Sequence, residues 1–258
     1  MTVLNILLWV GLPYASAGAF VVGHIFRWRF DQYGWTSRSS QGYESRLLRW
    51  GSPLFHYGIL FVFAGHVVGL LVPKAWTESF GVSEEAYHLG ATWLGAIASA
   101  ATVAGLVILL SRRGAIRRVT RVTTPMDVVM YIFLGTAIAF GTIATVVYQV
   151  FGGGYDYRVT ISPWIESLGD LQPNVSLMIG VPLLYKLHII TALLLFMIWP
   201  FTRLVHVFSV PIMYVFRPYV VYRSRDMRLG ARAAQRGWAR SNRPGTRAEQ
   251  VEKIRIHR

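Results

Sequence analysis

Four histidines lie inside two long apolar segments of the chain, where polar side chains are costly unless they have partners. His56 and His66 belong to one segment, and His188 and His206 belong to another. As part of an α-helix, His66 would lie about 15 Å beyond His56. His188 and His206 would lie about 27 Å apart after five whole turns, so they share a face, subject to a kink at Pro200. Each segment therefore offers two imidazoles at two depths.

These segments are the second and fifth apolar segments of the chain, so as membrane helices they run antiparallel. That arrangement pairs His56 with His206 at one depth and His66 with His188 at the other. A lone buried histidine usually bonds to a carbonyl, but two stacked pairs suit two haems, each with two axial imidazoles. Zinc would need four ligands at one point. Two axial histidines favour electron transfer, and the absence of a Cys-x-x-Cys-His motif makes the predicted cofactor non-covalent haem b.

The elements that position these histidines are predicted to be membrane helices. The chain has 258 residues, of which 53% are hydrophobic, and it has no cysteine. It therefore has no disulfide, no thiolate nucleophile and no cysteine-ligated cluster of its own. About 20 apolar residues are needed to span a bilayer as a helix. The segments that meet this requirement lie at roughly 3–26, 54–72, 91–111, 127–150 and 182–208. The sequence predicts an all-α integral membrane bundle of five transmembrane helices over residues 1–216.

The basic residues predict the orientation of this bundle. The first segment lacks a basic n-region and a cleavage site, so we expect it to remain as a helix. Arginines fill the loops after the first and third segments, whereas the other two loops are acidic. The positive-inside rule then places the N-terminus outside and the C-terminus in the cytoplasm. The expected location is the bacterial plasma membrane.

Residues 217–258 form a predicted basic cytoplasmic tail, which contributes to the net charge of +14. The tail is too polar to build a core. Its positive charge could keep the tail on the cytoplasmic side and attract it to anionic lipid. Alternatively, the tail could be a docking arm for a cytoplasmic partner. No motif supports binding of nucleic acid.

Other residues near the histidines have two interpretations each. Gly58, Gly65 and Gly69 form one stripe that either permits close helix packing or admits a flat macrocycle. Arg203 either contacts a haem propionate or extends to the cytoplasmic interface. His88 is either a solvated loop residue or a quinol contact or proton acceptor, and Gly65 is a second candidate quinol contact. We expect His24 to be a boundary residue and Asp127 to serve a helix N-terminus.

Several stretches of the sequence carry a resemblance to a known family. They are Leu54-Phe55-His56, Gly65-His66, Gly69, Leu187-His188, Pro200-Phe201-Thr202-Arg203-Leu204-Val205-His206, Ser209-Val210-Pro211 and Tyr214, with weaker support from Asp31-Gln32-Tyr33, Ser39-Ser40-Gln41 and Thr123-Thr124. In these stretches the sequence resembles the gamma (cytochrome b) subunit of membrane-bound respiratory nitrate reductase, and the resemblance covers about residues 3–225. Some relatives carry a lysine near the quinol pocket where this chain has Ala86, so that contact is not carried over.

The resemblance implies a dihaem subunit that oxidises quinol near the outer side. Electrons would pass from an outer haem, bound by His66 and His188, to an inner haem, bound by His56 and His206. They would then reach an iron–sulfur (beta) subunit and a molybdenum (alpha) subunit that reduces nitrate in the cytoplasm. The strong bias for arginine over lysine is compatible with a high-GC bacterium and with menaquinol.

Two other functions fit parts of this pattern. One is a dihaem b subunit of another quinone-linked complex, serving heterodisulfide or sulfite reduction, formate dehydrogenase or hydrogenase. The other is a non-haem transporter or anchor whose histidines relay protons. The run from Pro200 to His206 favours nitrate reductase over the former. Neither broken half-helices nor an internal repeat, both common in transporters, is evident in the sequence.

Overall fold

The protein is described by a computed structural model over residues 2–35, 39–209 and 216. Within these ranges all regular secondary structure is helical, and five helices are long and apolar enough to cross a membrane. They are α1 (Val3–Phe30), α2 (Arg46–Leu71), α3 (Glu84–Ala115), α4 (Pro125–Val150) and α5 (Leu183–Phe201). The predicted all-α, five-helix fold is confirmed. The predicted tail, 217–258, lies outside the described residues.

Several helices extend past the apolar segments predicted from hydropathy. Helix α2 begins at Arg46 instead of near residue 54, and α3 begins at Glu84 instead of near residue 91. The side chain of Ser83 caps α3 by accepting a hydrogen bond from Ala86 N–H, and Glu84 and Glu85 occupy the first turn. Acidic side chains are favourable there because they oppose the helix dipole. A search for apolar runs does not detect polar first turns of this kind, so it places the start of the helix too late.

Helix α4 begins with a complete capping box. The Thr124 side chain accepts from Asp127 N–H, and the Asp127 carboxylate accepts from Thr124 N–H. Pro125 occupies the first turn, where its missing N–H has no helical partner to lose. The prediction that Asp127 serves a helix N-terminus is confirmed.

The last predicted segment, 182–208, is not one continuous helix, which corrects the prediction. Its α-helical part ends at Ile198 and tightens into a 3₁₀ turn over Trp199–Phe201. Thr202 is extended, and a separate 3₁₀ helix follows over Arg203–Ser209. Pro200 lacks an N–H and clashes with the preceding turn, so the α-helix cannot continue through it. His206 therefore lies on a short segment of its own.

The five helices pack through a chain of neighbouring pairs. Helix α2 packs along α3, α3 also contacts α4, and α5 packs against α4 and α1. At the α2–α3 crossing, a Cβ added at Gly58 would lie 2.6 Å from Thr102 Oγ1, and one at Gly105 would lie 2.4 Å from Phe55 N. Small residues at these positions let the two backbones approach closely. Helices α2 and α5 are not one of the closely packed pairs.

The two ends of the bundle differ in charge, and we call them the basic end and the acidic end. At the basic end, where α2 begins and α3 ends, Arg112 is buried and binds Glu44 and both the hydroxyl and the carbonyl of Ser40. At the acidic end, buried Arg158 binds Glu84 and Thr77. A loop is thus held against the helices at each end by one buried guanidinium.

Candidate functional site

The four histidines of α2 and of the α5 region face one another as two pairs. The ring centroids of His56 and His206 are 6.1 Å apart, and those of His66 and His188 are 5.8 Å apart. The interplanar angles are 70° and 38°. The pairing predicted from antiparallel helices is therefore the pairing that the structure contains.

Three of these imidazoles are oriented by carbonyls of their own segment. Nδ1 of His56 lies 2.7 Å from Ser52 O, and Nδ1 of His66 lies 2.7 Å from Val62 O, one helical turn earlier in each case. Nδ1 of His206 lies 2.6 Å from Arg203 O within the terminal 3₁₀ segment. A carbonyl can only accept, so each Nδ1 carries the proton and Nε2 keeps a free lone pair.

The fourth imidazole is oriented by a different helix. Nδ1 of His188 lies 2.8 Å from the carbonyl oxygen of Ala137, which belongs to α4. A Cβ added at Gly141, one turn further along α4, would lie 2.9 Å from both Nδ1 and Cε1 of His188. The ring therefore lies directly against the α4 backbone.

The paired imidazoles lie between α2 and the α5 region. His56 and His66 are exposed on α2, whereas His188 and His206 are half-buried. Because α2 and α5 do not pack closely, the imidazoles of each pair approach from opposite sides of the space between these helices. The structure thus brings one imidazole of α2 and one of the α5 region together at each of two depths.

Comparison with known proteins gives the family. A family described as "Nitrate reductase gamma subunit" matches residues 5–225. The chain belongs to this family. It is 43% identical over 220 residues to the nitrate reductase gamma chain of Bacillus subtilis, covering 85% of this chain and 98% of that one. It is 33% identical over 223 residues to the respiratory nitrate reductase 2 gamma chain of Escherichia coli, covering 86% and 98%.

A longer relative matches this member of the family at higher identity. The nitrate reductase-like protein NarX of Mycobacterium tuberculosis (strain ATCC 25618 / H37Rv) is 49% identical over 233 residues. The match covers 90% of this chain but only 36% of the mycobacterial protein. The chain thus spans about a third of that relative's length. Family membership and the five apolar helices together identify a membrane protein.

The predicted glycine stripe on α2 divides into different environments. Gly58 is buried against α3, so close packing, one of its two interpretations, holds there. At Gly69 an added Cβ would lie 3.0 Å from the hydroxyls of Tyr157 and Tyr87. Gly65, beside His66, is exposed, with nothing within 4 Å of an added Cβ. A macrocycle contact for the three glycines stays a prediction, and Gly65 has the most room for it.

Arg203 is engaged by a carboxylate of the protein. Its Nε and Nη2 donate to the two Asp127 oxygens at 2.7 and 2.6 Å. Asp127 is 4% exposed, and Arg113 Nη1 lies 3.9 Å from the same carboxylate. The contact of Arg203 with a haem propionate stays a prediction. Its observed partner links the start of α4 to the segment that carries His206.

A second titratable cluster lies at the acidic end. His88 Nε2 is 3.7 Å from Glu84 Oε2 and 4.0 Å from Asp156 Oδ1. Ligand atoms of all three residues lie within 4.8 Å of one another. Arg158 and Lys74 also reach Glu84, so cations of the protein already neutralise part of this cluster. His88 lies in the second turn of α3 and is half-buried, so the solvated loop position expected for it was wrong, and two carboxylates lie beside its ring.

Tyr157 follows Asp156 in the chain and has a raised pKa. Burial raises the pKa of Tyr157, and its hydrogen bond with Tyr87 at 3.1 Å adds to this effect.

A surface cavity of about 720 Å³ among residues 163–177 contains none of the histidines. We assign it no part in the site, because the four facing imidazoles lie elsewhere.

His24 stands apart from the pairs. Its Nδ1 lies 2.7 Å from Phe20 O, and its ring packs against Phe20 and Phe208.

Sequence reasoning missed the contributions of Ala137 and Gly141 to the site. No local pattern marks a carbonyl or a glycine on one helix as the support of a ring on another.

Proposed function

We propose that this chain is the dihaem b subunit of a respiratory nitrate reductase, oxidising quinol and delivering electrons to partner subunits. The observation that carries the proposal is the pair of facing imidazoles at each of two depths, with centroids 6.1 and 5.8 Å apart. Family membership, through residues 5–225, supports the choice of nitrate reductase over other quinone-linked complexes.

The geometry of each pair fits an axial iron site. A transition metal held at about 2 Å by one nitrogen from each of two opposed imidazoles separates the ring centroids by roughly 6 Å. Each Nδ1 is bonded to a carbonyl, as is usual for metal-binding histidines, and no hydrogen bond to any of the four Nε2 atoms is found among the described residues. In this proposal His66 and His188 hold one haem b, and His56 and His206 hold the other.

With one imidazole from α2 and one from the α5 region as ligands, a haem b held at each pair would supply one-electron transfer and not substrate chemistry. The residues of this chain fix the tautomer and rotation of each ligand. The α2 and α5 helices hold the two pairs at separate depths, which suits transfer across a membrane. Nitrate reduction would take place on a partner, because this chain has no cysteine for clusters.

Quinol oxidation is proposed at the acidic end, near the His66–His188 pair. Gly65 offers open space beside His66, and His88 lies between Glu84 and Asp156. Quinol releases two protons as it is oxidised, and His88 with its carboxylate partners would accept them. Replacing His88 with alanine should slow quinol-dependent reduction of the chain's haem without lowering haem content. Normal reduction by quinol would remove His88 from this role.

The orientation is proposed from charge. Arginines concentrate at the basic end, which we place in the cytoplasm, with the iron–sulfur and molybdenum subunits docked there. Quinol oxidation at the opposite end would then release protons outside. The chain has no cysteine, so single cysteines introduced at Gly153 and at Gln41 are unique labelling sites. An impermeant maleimide should label the first and not the second in intact spheroplasts. The reverse pattern would invert the topology.

The decisive experiment is the reduced-minus-oxidised absorption spectrum of the purified protein, with haem quantified as the pyridine haemochrome. We expect two b haems per chain. His66→Ala and His188→Ala should lose one of them, and His56→Ala and His206→Ala should lose the other. His24→Ala is the control, because His24 makes the same type of Nδ1 bond, and within the described part of the chain its ring packs against Phe20, Trp35 and Phe208 and not against a second imidazole. A colourless, folded protein expressed with sufficient haem would refute the proposal and favour a proton relay or an anchor.

A further inference from the structure

Helix α4 contributes no histidine, yet it supplies the hydrogen-bond acceptor for one of the paired imidazoles. His188 directs its Nδ1 to Ala137 O on α4, whereas the other three rings bond within their own segments. The orientation of His188 is therefore set by how α5 packs on α4, and not by the local helix geometry around His188.

Gly141 makes this contact possible. Ala137 and Gly141 are one helical turn apart, so they share a face of α4. The His188 ring crosses this face, and an added Cβ at Gly141 would lie 2.9 Å from Nδ1 and from Cε1. Carbon atoms do not approach ring atoms that closely in folded proteins, so even alanine would force the ring to move. Such movement would break the bond to Ala137 O.

We propose that Gly141 and the Ala137 carbonyl are the positioning elements for His188 as an axial ligand. Gly141 supplies the space for the ring, and Ala137 O fixes the proton on Nδ1 so that Nε2 is presented toward His66. Hydrogen bonds of this kind raise the basicity of a ligating imidazole, and their loss typically weakens metal binding by about 10- to 100-fold. The inference rests on the proposed dihaem function.

The effect should be confined to one pair. Among the described residues, His56 and His206 bond to Ser52 O and Arg203 O, which do not belong to α4. Replacing Gly141 should therefore change the haem of the His66–His188 pair and leave the other haem unchanged. A general destabilisation of the bundle would affect both haems together.

The test compares Gly141→Ala with Gly135→Ala in the full chain. Both glycines lie in the same helix, but an added Cβ at Gly135 has no neighbour within 4 Å. Haem content, the midpoint potential of each haem and the low-spin EPR signals are measured. Gly141→Ala should lose one of the two haems, or shift the potential and EPR signal of one haem only. Gly135→Ala should match the wild type.

A double variant keeps the test decisive if Gly141→Ala accumulates poorly. In a His188→Ala background the ring is absent, so adding Gly141→Ala should not lower the protein level or the remaining haem. An equal loss in both backgrounds would overturn the inference, and so would a Gly141→Ala protein with two unaltered haem signals. A wild-type chain without haem would instead refute the proposed function, so the two failures are distinguishable.

Discussion

The ion pair between Asp127 and Arg203 supports the strongest prediction about stability. Asp127 is 4% exposed, and its two oxygens accept from Nε and Nη2 of Arg203 at 2.7 and 2.6 Å. In Asp127→Asn the amide oxygen can still accept from Thr124 N–H, so the helix cap is largely kept. What is lost is the negative charge that faces Arg203 and, at 3.9 Å, Arg113.

The expected loss of unfolding free energy in Asp127→Asn follows from the burial of this ion pair. Removing one partner of a buried ion pair costs about 3–5 kcal/mol, because the remaining charge is buried without compensation. Arg203 and Arg113 are both largely buried, at 13% and 11% side-chain exposure, so neither can readily regain solvent. We therefore expect Asp127→Asn to lower the free energy of unfolding by about 3 kcal/mol or more. An exposed pair would contribute about 1 kcal/mol or less.

The assay is unfolding of the purified protein by SDS titration in mixed micelles, as a double-mutant cycle with Arg203→Met. If Asp127 acts through Arg203, the effect of Asp127→Asn should shrink in the Arg203→Met background, with a coupling energy of about 1–3 kcal/mol. Arg113 provides a residual interaction, so the coupling should not account for the full loss. Additivity to within about 0.5 kcal/mol would refute the reasoning.

Two further predictions concern the basic end and the α2–α3 crossing. Burial opposes ionisation of Glu44, but hydrogen bonds from Leu47 N–H and Arg112 outweigh it and lower the pKa of Glu44 below its ordinary value of 4.5. The ionised Glu44 carboxylate stabilises the folded protein fully above pH 4.5, and this contribution is lost as the pH falls through the folded-state pKa. Glu44→Gln has no such contribution to lose. Its melting temperature should therefore fall less steeply in acid than that of the wild type. An equally steep fall would contradict this. Gly58→Ala should destabilise the protein by about 1–3 kcal/mol in the same SDS titration, because the added Cβ would lie 2.6 Å from a Thr102 oxygen. Gly95→Ala is the control. An added Cβ there has open space, so this variant should be neutral or stabilising.

Much of the architecture could be predicted from hydropathy and charge. Apolar runs of membrane length located all five helices, and the antiparallel relation of α2 and α5 paired His56 with His206 and His66 with His188. Both inferences depend on regularities that are local or topological. A helix advances by a fixed rise, and successive spans must alternate in direction.

The features that the sequence could not predict depend on contacts between residues that are distant in the chain. Hydropathy could not show that the chain becomes extended at Thr202, because Leu204 and Val205 continue the apolar run. Arg203 was assigned to a propionate or to the interface, since its partner Asp127 lies 76 residues away in sequence. Gly141 resembled any other glycine of an apolar helix, because its importance depends on a ring carried by α5.

The two pairs also impose an order on biosynthesis. Each joins α2 to a residue in or after the fifth span, across 122 residues for His66–His188 and 150 residues for His56–His206. A ribosome releases the chain from its N-terminus, so an inserted nascent chain that ends before α5 presents two unmatched imidazoles on α2. Both pairs are completed only after the last span has entered the bilayer and docked on α4. Premature termination anywhere in α5 before His188 would therefore abolish both pairs at once, and termination between His188 and His206 would leave only one.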